Sequence, residues 1–302
     1  MQDSRNHDST GAAWGRLGRV GVWSTELRFG DPGQVAEAAA ELEELGYGAI
    51  WIPGGHGGDL FGAVETLLNA TRHLTVATGI LNIWKHTPAE TAAWWRSIGP
   101  ALQARTMLGL GVSHAMVIGE AYAKPLQAMK DYLDGLDAEG VPTAARCLAA
   151  LGPRMLDLSR DRSAGAHPYL ATARHTAEAR QRLGPGALLA PEQGVILESD
   201  PGKARQKARE QLATYARLPN YADNWRRLGF SEDDVSGLSD RLVDGLFAWG
   251  GPEQIARGLS AHLEAGADHV CLQVISGAAG TGDLGAVRQV WRDLAPSAIP
   301  TA

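Results

Sequence analysis

Two histidines stand where apolar runs give way to polar residues, a usual position for groups that handle protons. His114 follows the apolar run 106–112, and His56 follows the run 49–53, with two glycines on either side. An imidazole needs little help from its surroundings to accept or donate a proton near neutral pH. We therefore predict His114 as the first catalytic acid or base and His56 as the second. The alternatives are a structural histidine at position 114 and a merely flexible loop around position 56.

The segment 74–90 combines a strand with the residue types of a ligand site. It begins as a buried strand, meets Gly79, and then presents Asn82 and Trp84 before two basic residues. Residues 87–90 have the pattern of a capping box with proline at the first helical position, which predicts a helix start. A strand that opens into glycine, aromatic and titratable residues just before a helix is typical of a (β/α) enzyme. A strand, a loop and a capped helix without chemistry is the alternative.

A third candidate site suits an anion. Gly152, Pro153 and Arg154 follow an apolar run and have the pattern of a helix start. Free N–H groups and the positive end of the helix dipole bind anions there, and Arg154 could add a charge-assisted bond to a phosphate. An ordinary capped helix is the alternative. Because His56 and Asp59 lack further ligands at metal spacing, we predict no metal site.

One unit recurs along the chain, namely a capped helix, a glycine and a short apolar strand. Residues 31–34 and 251–254 start such helices, and Gly46 and Gly266 end them. The strands are continuous apolar runs, which indicates a parallel sheet buried on both faces. Eight strands are predicted, over residues 19–23, 49–53, 74–81, 106–112, 146–151, 167–171, 194–197 and 269–275.

Eight such units in roughly 250 residues have the size of a single (β/α)8 TIM barrel of the α/β class. The alternative is a doubly wound open sheet, but no glycine fingerprint follows the first strand. The interval 203–245 is too long for one helix and predicts a helical insertion before the last β/α unit. In a barrel, ligands bind at the carboxyl ends of the strands, where the candidate residues stand.

Composition limits the function classes. The chain has 302 residues, of which 44% are hydrophobic, and a net charge of -6 without a basic stripe, so we expect no nucleic-acid partner. It has no apolar run of the roughly 18 residues that a membrane span needs. We therefore expect a cytoplasmic protein with a small-molecule substrate. Residues 1–17 are predicted as a disordered leader, and residues 18–302 as one domain.

Other residues are assigned structural roles. Cys147 and Cys271 stand in apolar runs and are predicted as buried free thiols. His73, His175 and His262 are expected on solvated helix or turn surfaces. The tryptophan-rich helix that begins near residue 88 is a possible interface of a homodimer.

The sequence resembles the bacterial luciferase-like monooxygenase superfamily, and within it the branch that uses the deazaflavin coenzyme F420. The resemblance is carried by the segments 76–84, 108–114, 150–155, 165–169 and 243–274. It implies a (β/α)8 barrel with a late insertion and a non-proline cis peptide bond at Gly79–Ile80, against the ring of the cofactor. It also implies that the cofactor phosphate lies at the helix start 152–154. The cofactor-binding residues are then Gly79, Ile80, Asn82, Val112, Ser113, Gly152, Pro153 and Arg154.

Two departures from the family pattern limit what is carried over. Many deazaflavin relatives end the second strand with an acidic residue followed directly by histidine, whereas this chain has Ile52-Pro53 there and His56 comes late. The loop after the fourth strand lacks the glutamate of the sugar-phosphate dehydrogenases of the branch, which argues against their substrate.

These features predict an oxidoreductase that transfers a hydride between coenzyme F420 and a small organic substrate, with His114 handling the proton. An FMN-dependent luciferase-like monooxygenase is the first alternative. A barrel that binds a cofactor without turnover is the second, and a metal-dependent hydrolase is the third.

Overall fold

The computed structural model of the protein describes residues 15–55, 57–275 and 282–299. Within them, eleven strands form one sheet in which every pairing is parallel. The sheet order is β10-β9-β11-β1-β2-β3-β5-β6-β7-β8, and β4 pairs with β5. The strands are β1 (Val20–Trp23), β2 (Ala49–Ile52), β3 (Thr75–Thr78), β4 (Leu81–Asn82), β5 (Thr106–Gly111), β6 (Arg146–Leu148), β7 (Gly165–Ala166), β8 (Leu188–Leu189), β9 (Glu192–Leu197), β10 (Phe247–Gly250) and β11 (Val270–Val274).

Helices alternate with these strands, which confirms the α/β class. Several begin as the sequence predicts; at α4, for example, Thr87 and Glu90 form the expected capping box. The helices are α1 (Glu26–Phe29), α2 (Pro32–Glu44), α3 (Leu60–Ala70), α4 (Pro88–Ser97), α5 (Gly99–Gln103), α6 (Ala115–Ile118), α7 (Pro125–Ala138), α8 (Pro153–Arg162), α9 (Ala173–Leu183), α10 (Pro201–Tyr215), α11 (Pro219–Arg227), α12 (Glu232–Ser236), α13 (Asp240–Leu246), α14 (Pro252–Glu264) and α15 (Leu284–Ala298).

The sheet curls so that its distant strands come together at β8 and β9. On one side, the N–H of Ala190 donates to the carbonyl of Ala166, 2.9 Å away. On the other side, the N–H of Cys271 donates to the carbonyl of Pro191 at 3.0 Å. Pro191 lies between β8 and β9, so one short stretch of chain contacts both β7 and β11. The curled parallel sheet is consistent with a TIM-like barrel, while the count of eight units stays a prediction.

The predicted strands 167–171 and 194–197 are wrong in extent. The sixth predicted strand corresponds to β7, which is Gly165–Ala166 rather than 167–171. Pro168 has no N–H to donate and ends the ladder. Gly165 lies in β7, where a Cβ would stand 1.9 Å from the carbonyl oxygen of Leu188. The run 194–197 is the end of a longer strand that begins at Glu192.

Helices α10 to α13 lie between β9 and β10 and have their own apolar core. That core contains Leu212, Trp225 and Leu242 and continues onto β9 through Ile196. Trp225 is fully buried, and its indole N–H donates to the carbonyl of Leu170 at 3.1 Å. The four helices are therefore packed on the carboxyl ends of the strands, where a ligand site is expected.

The structure also tests the smaller predictions. Cys147 and Cys271 are buried free thiols, as predicted. His73 is exposed, but the surface positions expected for His175 and His262 are wrong, since both are buried. Nδ1 of His262 lies 2.8 Å from the Thr176 hydroxyl, and its Nε2 lies 2.8 Å from the Gln193 amide oxygen. These hydrogen-bond partners offset the cost of burying an imidazole.

The termini are described only in part. Residues 15–17 form a turn of 3-10 helix, and Leu17 is buried. The rest of the predicted leader lies outside the described residues, and its boundary stays a prediction. In the described part of the chain, every helix is too short or too polar to span a bilayer.

Candidate active site

The centre of the candidate site is the break between β3 and β4. The peptide bond between Gly79 and Ile80 is cis, which confirms the bond that the family resemblance implies. Both carbonyls at the break are held: the Trp23 indole N–H donates to Gly79 O at 2.9 Å, and the Gly54 N–H donates to Ile80 O at 3.1 Å. A side chain of β1 and the backbone just after β2 therefore hold this peptide in place.

Two glycines leave space for neighbouring side chains. Gly111 leaves space for Ile80, and Gly79 leaves space for the rings of Trp23 and His167. A Cβ at Gly111 would lie 2.6 Å from two side-chain carbons of Ile80. A Cβ at Gly79 would lie 2.6 Å from the Trp23 indole nitrogen and 3.3 Å from His167 Nε2. Ile80 itself stays half-buried, so part of its side chain faces open space at the carboxyl ends of the strands.

Asn82 follows the break and is fully buried. Its Oδ1 accepts a hydrogen bond from the Trp84 N–H at 3.0 Å, while its Nδ2 has no partner. A buried amide donor without an acceptor costs free energy, so this N–H group is suited to a ligand that supplies one.

The end of the neighbouring strand β5 carries three predicted residues, Val112, Ser113 and His114, all half-buried. Ser113 has a positive φ of 55°, in the left-handed region. Burial lowers the pKa of His114, and a hydrogen bond with the Asn220 side chain partly offsets this effect. The imidazole is therefore neutral at neutral pH and can accept a proton.

Three tyrosines pack beside the site, and two of them, Tyr215 and Tyr221, come from the inserted helices. Tyr169 donates its hydroxyl to Gln273 Oε1 at 2.8 Å, and its ring centre lies 5.7 Å from that of Trp23. Tyr215 and Tyr221 pack edge to face at 5.3 Å, and Tyr221 lies 5.5 Å from the His114 ring. Because burial raises the pKa of all three tyrosines, their hydroxyls stay protonated.

Below these residues the interior holds polar groups that are kept neutral. The His167 ring stacks on Trp51 at 4.2 Å and donates from Nδ1 to the carbonyl of Ala190 at 2.7 Å. Burial lowers the pKa of His167 to about 4 and raises that of Glu192 to about 8. Oε2 of Glu192 accepts from the Leu170 N–H at 3.1 Å, whereas its Oε1 has no partner.

The helix start at 152–154 lies next along the same edge of the sheet. Gly152 precedes α8 without a side-chain cap, and Pro153 is its first residue, as predicted. Pro153 lines a cleft of about 370 Å³ between α8, α9 and α11, whose wall also includes His175, Asn224 and Arg227. Arg154 is exposed and is not among the residues of this wall.

His56, the second predicted catalytic residue, lies outside the described residues. Its neighbours are held by two cations: Arg28 donates to Gly57 O at 2.8 Å, and Lys85 donates to Gly55 O at 2.7 Å. In the described ranges, no three histidine, cysteine or carboxylate side chains are grouped to hold a metal ion.

The structure thus brings Gly79, Ile80, Asn82 and the residues 112–114 together and places 152–153 beside them. Sequence reasoning missed Glu192, although a carboxylate in an otherwise apolar strand is a readable signal. It also missed Tyr215, Tyr221 and Asn224, because nothing in a helical sequence shows which face will cover the site.

Comparison with known proteins supports the resemblance. Residues 13–138 match the family model of luciferase-like monooxygenases, which confirms the predicted likeness to this superfamily. No curated protein is similar enough in sequence to count as a match.

Solved structures share the fold over nearly the whole chain. An F420-dependent secondary alcohol dehydrogenase, in complex with an F420-acetone adduct, has a TM-score of 0.68 at 13% identity and covers 94% of this chain and 99% of its own. The coenzyme F420-dependent tetrahydromethanopterin reductase of Methanopyrus kandleri has a TM-score of 0.66 at 15% identity, with 92% and 99% covered.

A third similar structure binds a flavin. The oxygenating constituent of 3,6-diketocamphane monooxygenase from Pseudomonas putida, in complex with FMN, has a TM-score of 0.58 at 15% identity, with 94% and 100% covered. At such low sequence identities the similarity shows the fold alone, and the cofactor has to be argued from the residues of the site.

Proposed function

We propose that the protein is an oxidoreductase that transfers a hydride between coenzyme F420 and a small organic substrate. One observation carries the proposal: the half-exposed Ile80, the unpaired amide of Asn82 and the neutral imidazole of His114 lie at adjoining strand ends. An apolar support, a hydrogen-bond donor and a proton acceptor are what a hydride-transfer site needs around a tricyclic ring.

The residues present fit a deazaflavin ring. The unpaired Nδ2 of Asn82 can donate to a ring carbonyl, and Ile80 offers an apolar surface. Gly79, Ile80, Asn82, Val112 and Ser113 would hold the ring, and the helix start formed by Gly152, Pro153 and Arg154 would hold the phosphate. When bound, the deazaflavin would supply or accept the hydride.

The chain itself would manage the proton and the solvent. When the substrate is oxidised, two electrons leave with the hydride and His114 accepts the proton; in the reverse direction His114 returns it. Asn220, hydrogen-bonded to His114, would keep the ring oriented. Tyr169, Tyr215 and Tyr221 would exclude water above the ring.

We further infer that residues 18–302 form one (β/α)8 barrel of the F420 branch, with α10 to α13 inserted before the last unit. The contacts of the β8–β9 stretch with both β7 and β11 support closure of the barrel. A cytoplasmic location and a homodimer stay predictions.

An FMN-dependent monooxygenase is the second candidate, because the matched family model describes luciferase-like monooxygenases and one similar structure is a complex with FMN. Asn82 suits a carbonyl of either ring. A barrel that binds a cofactor without turnover is the third candidate.

Fluorescence titration of the purified protein with F420 and with FMN separates these candidates. We expect F420 to bind more tightly, and tight binding of FMN alone would refute the proposal. The variant His114→Ala should keep cofactor binding and lose reduction of F420 by small alcohols, whereas His73→Ala, on the surface, should change neither. If His114→Ala changes no measurable property, the non-catalytic barrel is supported.

A further inference from the structure

Arg28 is a buried cation without a paired anion. It lies on α1 and is 7% exposed, and in the described part of the chain no carboxylate lies within 4 Å of its guanidinium. Burial lowers the pKa of Arg28, and the attraction of Asp59 partly offsets this effect. Asp59 is itself exposed and caps α3, where its Oδ1 accepts from the Gly62 N–H at 2.9 Å. Because an unpaired charge is costly to bury, this position favours an anion.

Most hydrogen-bond donors of Arg28 are also unused. A guanidinium has five N–H donors. Among the described residues it makes one hydrogen bond, from Nη2 to the Gly57 carbonyl at 2.8 Å, and its Nε is buried without a partner. The Phe29 ring centre lies 4.8 Å from the guanidinium carbon and offers no acceptor for an N–H in its plane. Glu26, the carboxylate of the same helix, accepts from the Ser24 hydroxyl at 2.7 Å instead. The contact with Gly57 therefore satisfies only a small part of what Arg28 can bind.

The guanidinium lies at the same strand ends as the cis peptide. Arg28 belongs to the helix that follows β1, and the loop that it contacts begins at Gly54, whose N–H donates to Ile80 O at 3.1 Å. Three residues span at most about 11 Å, so Gly57 lies within that distance of Gly54. A Cβ at Gly57 would meet no heavy atom of the described residues within 4 Å, apart from its chain neighbours. A molecule that lies over Ile80 can therefore reach Arg28 with its far end.

A second cation binds the same loop. Lys85 donates from Nζ to the Gly55 carbonyl at 2.7 Å, is exposed, and has no carboxylate within 4 Å in the described ranges. Water screens an exposed charge, so Lys85 attracts an arriving anion rather than pairing with it. The tyrosines on the opposite side of the site are neutral. These charges favour a ligand whose anionic end lies at Arg28 and whose neutral end faces the tyrosines.

We propose that Arg28 binds a carboxylate of the substrate, so that small organic acids are the substrate class of this site. A carboxylate has one negative charge and accepts two parallel hydrogen bonds from a guanidinium, which is what Arg28 lacks. With the carboxylate at Arg28, the rest of the molecule extends over Ile80 towards His114. The inference rests on the proposed function for the reaction, whereas carboxylate binding is measurable without a cofactor.

Calorimetric titration of the full-length protein with benzoate and with benzamide tests the inference, because these probes have nearly the same shape and differ in charge. We expect the wild type to bind benzoate about tenfold more tightly or better, and Arg28→Gln to bind both probes equally. Arg28→Lys should keep only part of the preference, since an ammonium cannot form two parallel bonds. The control Arg72→Gln removes an exposed arginine at the amino end of β3 and should keep the full preference.

A purely structural role of Arg28 would give another result. Loss of the Gly57 contact would then weaken both probes alike, and the preference for benzoate would survive. If Arg28→Gln does not fold, Arg28→Lys decides, because an undiminished preference in that variant overturns the inference. A wild type that binds both probes equally, or neither, overturns it as well.

The same titrations separate this inference from the proposed function. If F420 does not bind but the preference for benzoate depends on Arg28, the proposed function fails and the carboxylate site stands. If F420 binds and the wild type shows no preference for benzoate, the proposed function stands and the carboxylate site is wrong.

Discussion

Replacing Glu192 with glutamine should remove a large part of the pH dependence of stability. Glu192 is 1% exposed, and burial raises its pKa from 4.5 to about 8, so the folded protein holds the carboxyl protonated where the unfolded chain releases the proton. The folded state therefore binds more protons between these two pH values, and its stability falls as the pH rises through them. Each pH unit in this interval lowers the free energy of unfolding by about 1.4 kcal/mol, which amounts to about 5 kcal/mol over the whole interval.

Glutamine is neutral, has the same shape and keeps an acceptor for the Leu170 N–H. Urea unfolding of both proteins at pH 5, 6, 7 and 8 measures the difference. We expect the wild type to lose stability relative to Glu192→Gln as the pH rises. His167 and His269, whose pKa values burial lowers to about 4, act equally in both proteins and cancel in the comparison. The exposed Glu44→Gln serves as control, and pH profiles of wild type and Glu192→Gln that run parallel would refute the reasoning.

Three further predictions concern buried or closely packed residues. Gly111→Ala should weaken cofactor binding, because the added methyl would stand 2.6 Å from Ile80 carbons; unchanged affinity in a fluorescence titration would contradict the assigned role of Ile80. Trp225→Ala should lower the free energy of unfolding by about 3–5 kcal/mol, measured in urea, since it empties the core of the inserted helices. Cys147 and Cys271 should react with a thiol reagent only after unfolding, because burial raises both thiol pKa values; rapid labelling of the folded protein would show that the interior is accessible.

The alternation of strands and helices was predictable because its signals are local. Helix starts with proline and helix ends with glycine are set by backbone chemistry, and the capping box at residues 87–90 formed as expected. The errors occurred where tertiary contacts decide. At β7, Gly165 is required by the approach of Leu188, which no local pattern records. The end of that strand at Pro168 is a different case, because proline is a local signal that the predicted strand 167–171 does not use.

The candidate site was predictable in part for the same reason. Residues at strand ends, such as Asn82 and His114, follow from strand positions once a parallel sheet is assumed. Tyr221 and Asn224 come from helices that carry no comparable rule, because the face that meets the sheet depends on the packing of the whole segment. His175 was placed on the surface because helix periodicity does not reveal the helix that covers it.

The two halves of the site come from distant parts of the gene. The peptide at Gly79–Ile80 is held by Trp23 and Gly54, all within the first third of the chain, whereas two of the three tyrosines beside it, Tyr215 and Tyr221, come from the inserted helices. Mutations at Tyr215 or Tyr221 can therefore change the covering of the site without disturbing the peptide at Gly79–Ile80. If the proposed function is right, a duplicated copy of the gene could acquire a new substrate through changes in one short segment while the residues that hold the cofactor ring stayed the same.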